Sequence, residues 1–213
     1  RMYFGKYRYE WMNRRVTSTN DDGLNWMYMR YADVILMAAE AINELDGPQA
    51  AAPYLKMILD RAFPNSPNKV STLLTSASAS KTAFFNALVD QRALEFTGEM
   101  LRKGDLIRWN LLGTKLAEAK TKLEQLENRT GPYANLPTRI YYKNEGEKVE
   151  IYGLNFGDTD AEGASLGYTA NKVWTMSSSG DQTTYWDALV YPGKDPNKQQ
   201  YWPIWQFFIE GSN

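Results

Sequence analysis

Glu95 and Glu99 lie four residues apart, a spacing that sets two carboxylates on one face of a helix. With Asp105 close behind, they invite an acid–base reading, because a glycoside hydrolase works with two carboxylates placed across the scissile bond. The same stretch carries Arg92, Arg102 and Arg108. A charge-balanced cluster at a helix junction is more simply a set of ion pairs. We therefore expect Glu95, Glu99 and Asp105 to pair with these arginines and to fix helix ends. Arg30, Asp33 and Glu40 invite the same treatment, as salt bridges or caps between helix pairs. Asp158, Asp160 and Glu162, followed by Gly163, look like the opening of a calcium loop. Thr169 stands where the bidentate glutamate belongs, so an ordinary acidic loop is expected and no metal is assigned. Tyr168, Trp174, Tyr185 and Trp186 fall in a stretch rich in Gly and Ser. Aromatic rings on loops can stack on the C–H face of a sugar ring, with Asn171, Asp181 or Gln182 meeting its hydroxyls. They can equally anchor those loops to a core. Trp174, Trp186, Tyr185, Tyr168 and Asn171 are the candidate ligand-binding set.

The composition removes other chemistry. Of 213 residues none is Cys or His, so a thiol nucleophile, a Ser-His-Asp triad and the common zinc sites are all excluded. No catalytic residue and no cofactor are assigned. With 24 basic against 25 acidic residues, the net charge of -1 offers no basic face for nucleic acid or for an anionic membrane. A 43% hydrophobic content allows a packed core, and the 14% aromatic content is high. The chain opens on Arg1 with no signal-type segment, so we expect further sequence upstream. The longest aliphatic run, Val34 to Ala39, is too short to span a bilayer.

The positioning elements are mostly helical. Val34, Ala38, Ala41 and Leu45, with Ile35 and Ile42, recur at helical spacing. Asp46-Gly47-Pro48 ends that helix and opens a second, running to about Phe63 with Ala51, Leu55, Ile58, Leu59 and Ala62 inward. Pro53 suggests a start later than Pro48. The pair resembles one tetratricopeptide hairpin, which cannot bury its own face without neighbours. A polar connector is expected over 65–80. Helices follow over about 81–98, capped by Ser80, and over 101–112 and 114–129. Beyond Gly131-Pro132 a strand pair is expected at Tyr141-Tyr142 and Val149 to Tyr152, then loops with little regular structure over 153–200.

Three segments together resemble the C-terminal region of the SusD/RagB family. Met29-Arg30-Tyr31-Ala32-Asp33-Val34-Ile35-Leu36-Met37-Ala38-Ala39-Glu40-Ala41 is similar to a signature helix of that family. So is Asp90 to Glu99 with its continuation Leu101 to Trp109, and so is the near-terminal Trp202-Pro203-Ile204. Trp205 and Gly104 depart from the family pattern. The resemblance implies a mainly α fold: tetratricopeptide-like helix pairs with long irregular loops and a small β-hairpin. The whole chain, 1–213, would be the C-terminal part of such a domain, with its N-terminal half absent. Residues 1–130 would form the scaffold, 131–200 a loop-rich insertion and 201–213 a docked tail. The resemblance further implies a lipid-anchored protein on the outer-membrane surface. It would bind an oligosaccharide or polysaccharide and work with a SusC-like TonB-dependent transporter. A helical glycosidase and a peptide-binding tetratricopeptide scaffold are the rival readings.

Overall fold

The computed structural model describes residue 6 and residues 27–145, 148–168, 170–173 and 193–198. The architecture is mainly helical, and the chain divides into two compact units, Arg1–Asp105 and Leu106–Asn213.

In the first unit, α1 (Tyr31–Asp46) and α2 (Pro48–Ala62) form an antiparallel hairpin, followed by α3 (Pro67–Ala77) and α4 (Lys81–Glu95). Gly47 joins the first two helices at φ 91°, a left-handed conformation that costs glycine little. Its N–H closes α1 on the carbonyl of Ile42 at 3.1 Å, and Pro48, which has no N–H to satisfy, starts α2 at once. The later start suggested by Pro53 does not occur. Pro53 sits inside α2 on its exposed side, where water can satisfy the carbonyl of Gln49 that loses its helical donor. Residues 65–80 are not a plain connector either. Pro67 opens α3 as it opened α2, and α3 buries Val70 and Ala77. Ser80 caps α4 as expected, its Oγ accepting the Ala83 N–H at 3.0 Å.

The core of this unit joins Ala32, Ile35, Leu36 and Ala39 of α1 to Ala51, Leu55, Ile58 and Leu59 of α2. Val70 and Ala77 of α3, Phe84 and Leu88 of α4, and Phe96 complete it. The buried face of α1 thus differs from the apolar stripe that stands out in the sequence. Ile35 is inside and Ile42 is half-buried, but Val34, Ala41 and Leu45 are exposed. Both arcs of this helix are apolar, and periodicity alone does not rank them. Ala62 is likewise exposed. Asn43, fully buried, donates to the Lys81 carbonyl at 3.0 Å, while the Lys81 ammonium reaches the Glu44 carbonyl at 2.6 Å. The end of α1 is thereby tied to the start of α4.

α5 (Arg102–Arg108) leads into the second unit, which contains α6 (Leu112–Glu127) and a three-stranded antiparallel sheet. The sheet order is β2-β1-β3, with β1 at Arg139–Glu145, β2 at Lys148–Tyr152 and β3 at Ala170–Val173. The expected hairpin is present, with Tyr141 opposite Tyr152 and Tyr142 opposite Ile151. Two elements within 153–200 were not expected: β3 and the short helix α7 (Asp160–Ser165). β3 is too short to show a period, and it exists because Tyr141 and Tyr142 offer it an edge, pairing with Asn171 and Ala170. The expected tail, 201–213, lies outside the described residues.

Candidate functional site

Both acidic pairs of the signature segments are consumed by cations. Arg30, just before α1, donates from Nε to Glu99 Oε2 at 2.7 Å and from Nη2 to Glu95 Oε1 at 2.9 Å. Lys6 reaches Glu99 Oε1 at 2.5 Å, and Arg61 of α2 reaches Glu95 Oε2 at 2.5 Å. Burial alone would raise the Glu99 carboxyl, but the hydrogen bonds from Arg30 and Lys6 outweigh it and hold the group below its ordinary value. Arg92 lies buried between two other carboxylates. It meets Asp33 of α1 at 2.6 Å and takes Asp105 in a two-pronged grip at 2.8 and 2.9 Å. Burial would lower the Arg92 guanidinium, yet its bonds to Asp105 and Asp33 raise it above its ordinary value. Both arginines also lie over the Phe96 ring, at 5.1 and 4.8 Å from its centroid.

The principle of ion pairing expected from the sequence is therefore present, with partners redistributed. Arg92 holds Asp105 as expected, whereas Glu95 and Glu99 turn to Arg30, Lys6 and Arg61. Arg102 instead donates to the Val89 carbonyl at 2.8 Å. Arg30 and Arg61 are distant in sequence, and only the hairpin brings them to the end of α4. Each of these two glutamates already serves two cations, and this arrangement does not present the open acid–base pair of a glycosidase.

The acidic run near 160 also turns out to be architectural. The Asp158 Oδ2 accepts the N–H groups of Gly153 and Asn155, each at 2.9 Å. Asp160 accepts the Thr138 N–H at 2.9 Å, its hydroxyl at 2.8 Å and the Arg139 N–H at 3.2 Å. Burial pushes the Asp160 carboxyl up, but these bonds overcome it and lower it. Glu162 accepts the Tyr152 hydroxyl at 2.7 Å. The three carboxylates point at three different partners, which fastens α7 and its flanking turns to the sheet.

Of the candidate ligand set, Asn171 and Tyr168 are described. Asn171 is exposed on β3, and its Oδ1 accepts from Arg139 Nη1 at 2.7 Å. Tyr168 is half-buried just before β3. Trp174, Tyr185 and Trp186 lie outside the described residues. Arg139 was not singled out in the sequence. Alternation along β1 places it on the same face as Tyr141 and Lys143, and the β1–β3 register sets that face beside Asn171. This face carries α7: the Tyr141 hydroxyl donates to the Asp160 carbonyl at 3.1 Å, and Gly163 lies against the Tyr141 ring. Arg139 and Asn171 stand at its exposed rim.

The first unit spends the charges of its signature helices internally, and the second carries a small sheet with a polar rim; each reads as a structural scaffold. The chain belongs to the SusD family, matching it over residues 1–210. It is 40% identical over 88 residues to SusD-like protein P25 of Formosa agariphila, a stretch covering 41% of this chain and 16% of that relative. It is 30% identical over 112 residues to SusD-like protein P2 of the same organism, covering 52% of this chain and 22% of the relative. The matched stretches thus span less than a quarter of either relative. No solved structure matches the chain.

Proposed function

We propose that this chain is the C-terminal part of a cell-surface glycan-binding lipoprotein. It captures an oligosaccharide and delivers it to a SusC-like TonB-dependent transporter. The observation that carries this is the SusD-family match across residues 1–210. The clamped carboxylates support recognition without bond cleavage, since Glu95, Glu99 and Asp105 each already serve a cation. In this reading the N-terminal half, with its lipid anchor on the outer membrane, lies outside these 213 residues. Residues 1–130 serve as scaffold, 131–200 as the loop-rich insertion and 201–213 as a docked tail. Tyr168, Asn171, Trp174, Tyr185 and Trp186 contribute stacking faces and hydrogen bonds to the sugar, with Arg139 orienting Asn171. Among the described residues no helix is long and apolar enough to cross a membrane.

The test is electrophoresis of the full-length protein through gels cast with single polysaccharides, alongside an assay for released reducing ends. Retardation by a polysaccharide without release of reducing ends is expected. Turnover of any polysaccharide by the pure protein would overturn the reading.

A further inference from the structure

Phe156 stands at a turn corner whose geometry does not call for an aromatic ring. The turn runs Asn155-Phe156-Gly157-Asp158 and closes with the Asp158 N–H on the Asn155 carbonyl at 3.2 Å. Gly157, at φ 99°, supplies the positive φ that the third position of such a turn needs. The corner before it accepts almost any residue, and proline or a polar residue is usual there. Here it holds a phenylalanine that is 69% exposed. Its ring meets that of Tyr133, with centroids 5.8 Å apart and planes tilted by 36°.

Both rings are held from behind. Asp158 accepts the N–H groups of Gly153 and Asn155, which pins the Phe156 turn to the end of β2. Tyr133 rides on a short 3-10 turn, Gly131–Tyr133, beyond α6. Arg129, just past the end of α6, has φ 51°, a left-handed position more often given to glycine. Its guanidinium donates to the Leu136 carbonyl and so closes the segment that carries Tyr133. Backbone strain of this kind gathers where a surface must be held in place. Rings fixed before binding lose little freedom on contact. Two polar atoms beside them are left over: the Tyr133 hydroxyl and Asn155 Oδ1 make no hydrogen bond among the described residues. An apolar face bordered by such groups matches a pyranose, whose C–H face is apolar and whose rim carries hydroxyls.

We propose that Tyr133 and Phe156 form a stacking platform for a pyranose ring of the bound polysaccharide, with Arg129 and Asp158 as its positioning residues. The proposal rests on the glycan-binding reading and adds to it a pair of rings outside the candidate set. Size chooses a sugar over a protein surface. Two aromatic side chains offer about 400 Å² at most. A stable protein interface takes about 800 Å² from each partner.

The test runs the full-length protein and its Phe156→Ala, Phe156→Leu and Phe156→Tyr variants through gels cast with soluble starch, laminarin, xylan or pectin. Melting temperatures are measured alongside. For a polysaccharide that retards the parent, Phe156→Ala and Phe156→Leu should each weaken affinity about tenfold, because leucine keeps the bulk and loses the flat face. Phe156→Tyr keeps the ring and should stay within about twofold of the parent. All melting temperatures should stay near the parent value, since the ring is exposed. Equal retardation of the parent and Phe156→Ala would overturn the proposal and leave the glycan reading standing. So would full affinity in Phe156→Leu, a loss in Phe156→Tyr as large as in Phe156→Ala, or weakened binding matched by a fall in melting temperature. A parent protein retarded by none of these polysaccharides would overturn the proposal together with the glycan reading.

Discussion

Arg92 is the residue on which the first unit's polar interior turns. It joins α1 through Asp33 to the start of α5 through Asp105, with all three side chains buried. Replacing it by leucine removes the guanidinium that both buried carboxylates share. Arg92→Leu should lose about 3–5 kcal/mol of stability, measured by urea denaturation. Arg92→Lys keeps the charge but not the planar fork, and should recover only part of the loss. Glu99 gives a second, pH-resolved prediction. Its folded carboxyl titrates below the ordinary value of 4.5, so its contribution is present in full above that pH. The contribution is lost as pH falls through the folded value. Denaturation midpoints measured from neutral pH down through pH 4.5 and below should fall more steeply for the parent protein than for Glu99→Gln. Parallel profiles would show that the Arg30–Lys6 clamp contributes nothing to acid sensitivity. Glu118 differs in kind. Hydrogen bonds from Lys115 and Lys122 draw it to about 2, but all three stand at the surface of α6, where screening leaves such pairs little weight.

At the scale of the element, the seating of α7 on the sheet depends on one missing side chain. A Cβ on Gly163 would collide with the ring of Tyr141, which is itself buried and bonded to the Asp160 carbonyl. Gly163→Ala should therefore cost about 1–3 kcal/mol as an overpacking change, and should weaken the near-ultraviolet circular dichroism of the tyrosines packed there. An unchanged spectrum and midpoint would mean that α7 shifts freely. Ser80 offers a milder case at the start of α4. Ser80→Ala removes the acceptor for the Ala83 N–H and should cost about 1 kcal/mol by the same denaturation assay.

For the whole molecule, the prediction concerns the decorated surface. In the full-length protein, Asn171→Ala and Tyr168→Ala should each weaken retardation by the bound polysaccharide, by about tenfold in affinity, while leaving the melting temperature near the parent value. Arg139→Ala should act in the same direction through Asn171, whose Oδ1 it holds. Unchanged retardation in all three would move the sugar site away from this rim. A matching loss of stability in all three would make the rim structural.

Much of this organisation is local and therefore legible in the chain. Gly47-Pro48 ends one helix and starts the next because positive φ favours glycine and a first helical position tolerates proline. Ser80 caps α4, and the alternating Tyr141 to Tyr152 stretch forms a hairpin, each for reasons contained within a few residues. The absence of Cys and His, and the ordered signature segments, likewise lie in the sequence itself. Tertiary structure decided what depends on partners distant along the chain. β3 has only four residues and takes its form from the edge of β1. Glu95 and Glu99 chose Arg30 and Arg61 over the arginines beside them, because charge pairs by distance in space and helix packing sets that distance. The same holds for α1. Its two apolar arcs are equivalent as patterns, and burial went to the arc that α2 and α4 could reach.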